Sequence, residues 1–290
     1  MKNLWSTLFC FVLLFAACGE TSSPPQETAE QSPSPKKSIP NNEALAANNP
    51  GALLVKEMID ALGGLEAYYQ LQDVEYTYTY QDDSQERQDI STERYLYDGE
   101  LSWAKYNQHS HSVMPDKEGV IIQGFDGKAA WVSHNDTLLE DEKAIGMANF
   151  LRKTNFYWFN MMFKLLDPGT RFEQKTNREV NGIDYQVVEV SFGENIGDAQ
   201  DTYLLYLNPE TKLVDQFLFT VMAFGRAEPL LMEVKYEKVD GLSWPTYRRY
   251  TPTNWEGQVA EDASWTEEIS KDLKFNNGFK AEEFTKPALM

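Results

Sequence analysis

Met147-Ala-Asn-Phe-Leu-Arg-Lys-Thr-Asn-Phe-Tyr-Trp-Phe-Asn-Met-Met-Phe-Lys-Leu-Leu166 interrupts a chain that otherwise reads as strand after strand. Its apolar residues, among them Phe150, Phe156, Trp158, Phe159, Met162 and Phe163, cover most of a helical circumference. A helix apolar on several sides must be buried on several sides. Asp167-Pro168-Gly169 then stops it. It is too short and too interrupted for a membrane span. The stretch is therefore expected as one or two helices lying inside a curved sheet.

The sheet is read from the flanks. Val74-Glu75-Tyr76-Thr77-Tyr78-Thr79-Tyr80 alternates, with Val74, Tyr76, Tyr78 and Tyr80 on one face. Similar runs lie at 93–97, 101–106, 119–125, 128–134, 185–192, 202–207, 213–223, 231–239, 244–250 and 263–275. Turn chemistry separates several of them: Tyr97-Asp98-Gly99, Phe125-Asp126-Gly127, Asn181-Gly182, Asn208-Pro209-Glu210-Thr211 and Asp240-Gly241. Short connections imply an antiparallel meander. Tyr203–Leu207 and Phe217–Met222 are apolar on both faces, so both faces need cover, or a cavity on one. Neither a βαβ rhythm nor a Gly-rich phosphate loop is present. The expected fold is α+β: a curled antiparallel half-open β-barrel of about ten to eleven strands, with helices covering the concave side.

Asn49-Pro50 is a helix-start signature, with Asn as N-cap and Pro at the first position. Val55, Met58, Ile59, Leu62, Leu65 and Tyr69 follow at helical spacing, and Gly63-Gly64 ends or bends the helix. The folded domain is thus expected over 51–290, a length that buries about three-quarters of its unfolded surface. Residues 19–50 are rich in Pro, Ser, Gln and Glu and carry no aromatic residue. Such a segment cannot bury enough surface to offset its ordering entropy, so 18–50 is expected to be a disordered spacer.

The N-terminus supplies an address. Lys2 precedes an apolar run, Leu4 to Ala17, that closes on Phe15-Ala16-Ala17-Cys18. The run is too short to span and ends on small residues, as a secretory leader does. It resembles bacterial lipoprotein signal peptides, with Phe15 in place of their usual Leu. The resemblance implies a leader over 1–17 and an acylated Cys18, carrying chains such as palmitate, as the mature N-terminus. Several chains on one cysteine make a stable anchor, at about 0.8 kcal/mol per buried methylene. Gly19, where an Asp would hold such proteins at the inner membrane, implies the outer membrane and its periplasmic face. Cys10 leaves with the leader, so no disulfide and no free thiol remains. With 45 acidic against 26 basic residues the net charge is −19. Such a surface repels nucleic acid and anionic headgroups, which excludes nucleic-acid binding.

Four short motifs recur in order. They are Ala61-Leu62-Gly63-Gly64-Leu65, Gly124-Phe125-Asp126-Gly127-Lys128-Ala129-Ala130-Trp131, Tyr206-Leu207-Asn208-Pro209-Glu210-Thr211-Lys212-Leu213 and Gly241-Leu242-Ser243-Trp244-Pro245-Thr246. Together they resemble the LolA/LppX-like half-barrel superfamily and its outer-membrane lipoprotein relatives, over roughly residues 52–275. The resemblance implies a half-open barrel with a helical lid and an acyl-binding concavity. No cavity arginine of the carriers matches a position here, so no ligand contact is carried over.

Catalytic chemistry finds little support. His109-Ser110-His111 places two imidazoles at i and i+2, the spacing for one metal on a strand, with His134 as a third ligand. Asn107, Gln108, Ser110 and Ser112 make the surroundings read as a solvated loop. Gly-x-Ser-x-Gly is absent. Asp82-Asp83 and Glu140-Asp141-Glu142 read as solvated turns. No cofactor is implied. The remaining candidate site is a greasy wall of Met147, Phe150, Phe156, Trp158, Phe159, Met162, Phe163, Phe217 and Phe219, with Trp103, Trp131 and Met222 as further lining. Met and Phe adapt to varied apolar shapes. The reading that follows is a non-catalytic outer-membrane lipoprotein binding a lipid or an acylated protein. The alternatives are a metal-dependent hydrolase using His109 and His111, and a structural subunit of an envelope complex.

Overall fold

The computed structural model describes residues 43–193 and 200–288. The leader, Cys18 and the spacer as far as residue 42 lie outside the described residues. Helix α1 (Glu43–Asn48) falls inside the stretch expected to be disordered, and Ala46 on it is buried. Glu-Ala-Leu-Ala-Ala is a run of strong helix formers, and that outweighs the polar composition upstream. Helix α2 (Pro50–Leu62) starts as expected, with Asn49 Oδ1 accepting from Ala52 N at 3.0 Å. Gly63, at φ 119°, ends it, and α3 (Leu65–Tyr68) adds one turn.

Among the described residues, thirteen antiparallel strands form one open sheet. They are β1 (Asp73–Asp82), β2 (Gln88–Leu96), β3 (Leu101–His109), β4 (Ile121–Phe125), β5 (Ala130–His134), β6 (Thr137–Leu138), β7 (Thr170–Val180), β8 (Ile183–Phe192), β9 (Tyr203–Leu207), β10 (Val214–Val221), β11 (Arg226–Val239), β12 (Leu242–Pro252) and β13 (Thr266–Phe275). Their order is β6-β5-β4-β3-β2-β1-β13-β12-β11-β10-β9-β8-β7, so β6 and β7 are the free edges. The count exceeds the ten to eleven expected. The two unforeseen strands are β6, only two residues long, and β7, whose sequence Thr-Arg-Phe-Glu-Gln-Lys-Thr-Asn-Arg-Glu-Val shows little alternation. An edge strand with one solvated face needs few apolar residues, and its charges discourage edge-to-edge pairing. The first turn of α2 sits on that edge. Asn49 Nδ2 donates to Phe172 O at 3.0 Å, and a Cβ on Gly51 would lie 3.2 Å from Gln174 N.

The apolar stretch forms one continuous helix, α4 (Glu142–Lys164), longer at its N-terminus than expected. Asp141 is its N-cap, accepting from Ala144 N at 2.7 Å, which corrects the reading of Glu140-Asp141-Glu142 as a plain turn. The first half of α4 packs on β3–β5, where Ala148 joins Ala104, Tyr106, Ile121 and Val132. Ten residues later Trp158 stacks on Phe217 of β10 and meets Tyr203 of β9. Those ten residues advance about 15 Å along the helix. On a flat sheet, β5 and β9 would lie about 43 Å apart at about 4.8 Å per strand. The sheet therefore curls around α4.

The convex face is covered as well. Tyr185, Val187, Leu204, Tyr206, Leu218 and Leu231 form an outer cluster under Val259 and Trp265 of the β12–β13 connection. This accounts for strands apolar on both faces. On the other half, the chain after β13 crosses the outside of the sheet. Asp73 accepts from the backbone N–H of Asn277, Gly278 and Phe279, Arg94 lies between the Trp103 and Phe279 rings, and Phe284 is buried.

Candidate functional site

The concave face beneath α4 has two unlike halves. The C-terminal half of α4 meets an aromatic bed. Phe159 stacks on Tyr76 at 4.6 Å and on Trp244 at 4.9 Å, and Phe163 stacks on Tyr68 at 4.6 Å. Trp158 touches Phe217 and Phe219. Phe156, Phe159, Met162, Phe163, Phe217 and Phe219 all belong to the main core. The greasy wall is thus interlocked with the sheet, and α4 itself occupies the hollow at this level.

The other half of the floor is polar. Across β2, β3 and β4, Glu93 faces Ala104, which faces Gln123, and in the next row Tyr95 faces Ser102, which faces Phe125. Arg152 reaches down from α4. Its Nη1 and Nη2 donate to Glu93 at 2.5 and 3.2 Å, and Nη2 also donates to the Tyr106 hydroxyl at 2.6 Å. Both members of the ion pair have 0% exposed side chains. Ser91 Oγ and Tyr95 Oη supply Glu93 with two further donors, at 2.8 and 3.1 Å. A second buried arginine, Arg248, pairs with Glu268 at 2.7 Å and donates to the Trp158 carbonyl of α4 at 2.7 Å. Desolvation pulls the Arg152 guanidinium down most strongly, but the Glu93 charge and hydrogen bonds, together with Tyr106 and Tyr95, outweigh it and hold the group above its ordinary value. Burial pushes the Tyr76, Tyr95 and Tyr97 phenols well up, and Tyr106 up as well, so all stay neutral. Buried polar atoms without a hydrogen-bond partner lie in both halves: Ser102 Oγ, Gln123 Oε1 and Arg152 Nε on the polar floor, and Tyr97 Oη, Tyr157 Oη, Asn160 Oδ1, Trp244 Nε1 and Arg248 Nε around the aromatic bed.

The remaining expected residues are placed elsewhere. Met147 is 38% exposed. Phe150 is half-buried and packs edge-on to Phe224, a turn residue after β10 that is 64% exposed. Trp103 and Trp131 face the convex side: Arg94 covers Trp103, and Trp131 Nε1 donates to Phe284 O at 2.9 Å. Met222 is exposed at the same turn as Phe224. Arg152, Glu93, Ser102 and Gln123 were not foreseen. For Arg152 a signal existed, because Ala148, Arg152, Phe156 and Asn160 share one helical face. Nothing local marks Glu93 as inward.

The histidines are engaged structurally. His109 Nε2 bonds Gly119 O at 2.9 Å, His111 Nδ1 bonds Ser112 Oγ at 2.7 Å, and His134 Nε2 bonds Glu118 O at 2.6 Å. Among the described residues no three His, Cys, Asp or Glu side chains converge as metal ligands. Two clefts open on the surface: about 210 Å³ lined by Glu75, Thr77, Thr92 and Lys274 among others, and about 340 Å³ lined by Arg178, Val180, Tyr206 and Glu256 among others. Neither is lined by any of the nine wall residues. No helix among the described residues is long and apolar enough to cross a membrane.

Residues 117–228, from just before β4 to the start of β11, match a family of unknown function, DUF6503. No curated protein matches. Among solved structures, the chain is similar to an outer-membrane lipoprotein-sorting protein domain from Vibrio parahaemolyticus, at 11% identity and TM-score 0.47, covering 79% of this chain and 97% of that one. It is also similar to a DUF1329 family protein from Desulfovibrio piger, at 13% identity and TM-score 0.48, covering 82% and 98%. Lipoprotein LppX from Mycobacterium tuberculosis aligns over 79% and 98%, at 8% identity and TM-score 0.30. At such identities no residue role and no ligand passes to this chain.

Proposed function

We propose that this protein is a non-catalytic lipoprotein of the cell envelope, anchored in the outer membrane through Cys18. It binds the acyl part of a lipid or acylated protein on the concave face beneath α4. The observation that carries this reading is the bed under the C-terminal half of α4. Phe156, Phe159, Met162, Phe163, Phe217 and Phe219 meet there in one apolar cluster, on the only helix that crosses the concave face from β5 to β10 among the described residues. Because α4 fills this bed, a guest must take the place of part of the helix. The exchange is close to balanced. The five buried Phe and Met side chains of α4, namely Phe156, Phe159, Met161, Met162 and Phe163, at about 2 kcal/mol each lose roughly 10 kcal/mol of burial. An acyl chain of about fifteen methylenes regains roughly 12 at about 0.8 each. Native mass spectrometry of the protein, with a fluorescent fatty-acid titration, tests the reading. Bound lipid or saturable uptake is expected. A bare mass without uptake refutes it. Cys18→Ser is expected to abolish incorporation of radiolabelled palmitate.

One observation favours a second reading, a structural subunit of an envelope complex. The stacked pairs Phe159–Trp244 and Phe163–Tyr68 leave the bed interlocked. Failure of uptake together with co-purification of a fixed partner would decide for it.

A further inference from the structure

The sequence predicts an apolar wall on the concave side, and the polar floor lies beside it. Ser102 Oγ, Gln123 Oε1 and Arg152 Nε are unpaired, and the three residues are 0%, 2% and 0% exposed. They sit in two adjacent rows of β2–β4 and the helix turn above. Ala104, the small residue between Glu93 and Gln123, packs with Ala148 of α4 in the apolar cluster beside them. Buried polar groups are paired in finished cores, so three unpaired ones in neighbouring rows mark a place with hydrogen bonds still to be made.

The atoms define what could complete them. Arg152 Nε–H donates, Ser102 Oγ donates or accepts, and Gln123 Oε1 only accepts. The local charge is already balanced, since Arg152 is matched by Glu93. Lys153, the next cation on this turn, is held over the Phe125 ring at 5.5 Å. A carboxylate head brings acceptors only, leaves Gln123 Oε1 unpaired and adds an unmatched buried charge. An ester carbonyl beside a free hydroxyl fits all three atoms: the carbonyl takes the Arg152 and Ser102 donors, and the hydroxyl donates to Gln123. Tyr95, in the same row as Ser102, abuts Phe156 and Phe159 at 5.3 and 5.7 Å, so the head position adjoins the aromatic bed.

Resting on the acyl-binding reading above, we propose that Ser102, Gln123 and Arg152 Nε form the headgroup subsite for an uncharged acylglycerol, whose acyl chain lies along the Phe156–Phe163 bed.

The test uses the full chain, freed of lipid, with a bound fluorescent fatty acid displaced by 1-monooleoylglycerol, methyl oleate or oleate. Monooleoylglycerol is expected to compete about tenfold better than methyl oleate, the worth of one hydrogen bond to a buried acceptor. It is expected to exceed oleate by at least as much. Gln123→Leu should erase the preference over methyl oleate while leaving methyl oleate unchanged. Ser102→Ala, a small change that keeps the fold, should weaken all ester ligands by several-fold. Equal competition by the three lipids, or a Gln123→Leu effect of the same size on each, overturns the subsite while leaving acyl binding intact. Binding of none of the probes overturns both.

Discussion

The buried Arg152–Glu93 pair fixes α4 to the floor of the sheet, and replacing Arg152 by Met measures that attachment. Met roughly preserves volume and removes three hydrogen bonds, two to Glu93 and one to Tyr106. The Glu93 carboxylate then keeps only Ser91 and Tyr95 as donors, with no exposure to water. Breaking a buried pair from one side costs about 3–5 kcal/mol, because an uncompensated charge stays behind. For a domain of this size that lowers Tm by roughly 10 °C. Urea titration should show the midpoint fall with an unchanged slope. Glu93→Leu with Arg152→Met should cost less than the sum of the two single changes by about 2 kcal/mol or more. A single-variant loss under about 1 kcal/mol, or strict additivity of the two changes, would show that α4 is not seated on this floor, and the account of the site would fall with it.

Other expectations follow from the same contacts. Phe284→Ala should cost about 3–5 kcal/mol in urea unfolding, because this buried ring holds the C-terminal segment against the convex face. Gly124→Ala should destabilise the β4–β5 hairpin by about 1–3 kcal/mol and shift tryptophan emission to the red. A Cβ there would lie 2.3 Å from the Trp131 ring. Asp126 is held below the ordinary carboxylate range by the Ala129 and Lys128 amides. Its contribution is therefore present above the unfolded value of about 3.9 and is lost as pH falls through the folded one. Asp126→Asn should flatten the acid limb of a Tm-against-pH curve, and an unchanged limb would contradict this.

What was legible in the sequence was local. Asn49-Pro50 and Gly63 mark the ends of α2 because capping is decided within a few residues. Asn208 shapes the β9–β10 turn through its own side chain, which accepts from the Glu210 amide at 2.9 Å. Two-faced apolar runs at Tyr203–Leu207 and Phe217–Met222 announced cover on both sides, and α4 and the β12–β13 connection provide it. What was not legible depends on distant partners. Asp73 holds a backbone segment about two hundred residues further on. β2 alternates Asp89, Ser91, Glu93 and Tyr95 against Ile90, Thr92, Arg94 and Leu96, and neither face looks like a core. Arg152 and the Phe156 and Phe159 rings, arriving from α4, and the amides of His111, Ser112 and Val113 that bond Asp89 make the polar face the buried one. Trp131 resembled cavity lining by residue type, yet strand parity turns it outward onto Gly124.

The polar floor also separates a carrier from a solid structural barrel through stability alone. An unpaired buried polar atom costs about 1–3 kcal/mol. Against a total of about 5–15 kcal/mol, three such atoms in one patch are a heavy charge on the fold. A barrel kept only for packing gains from replacing them, so local rules broken without compensation mark sites held for another reason. Gln123→Leu, and to a smaller extent Ser102→Ala, should therefore raise the urea midpoint, by about 1 kcal/mol in the first case. The same Gln123→Leu protein should lose its preference for the hydroxylated ester. A stabilised variant with unaltered lipid selectivity would mean that the floor is merely unfinished core. A destabilised one would mean that Gln123 is already paired in the native protein.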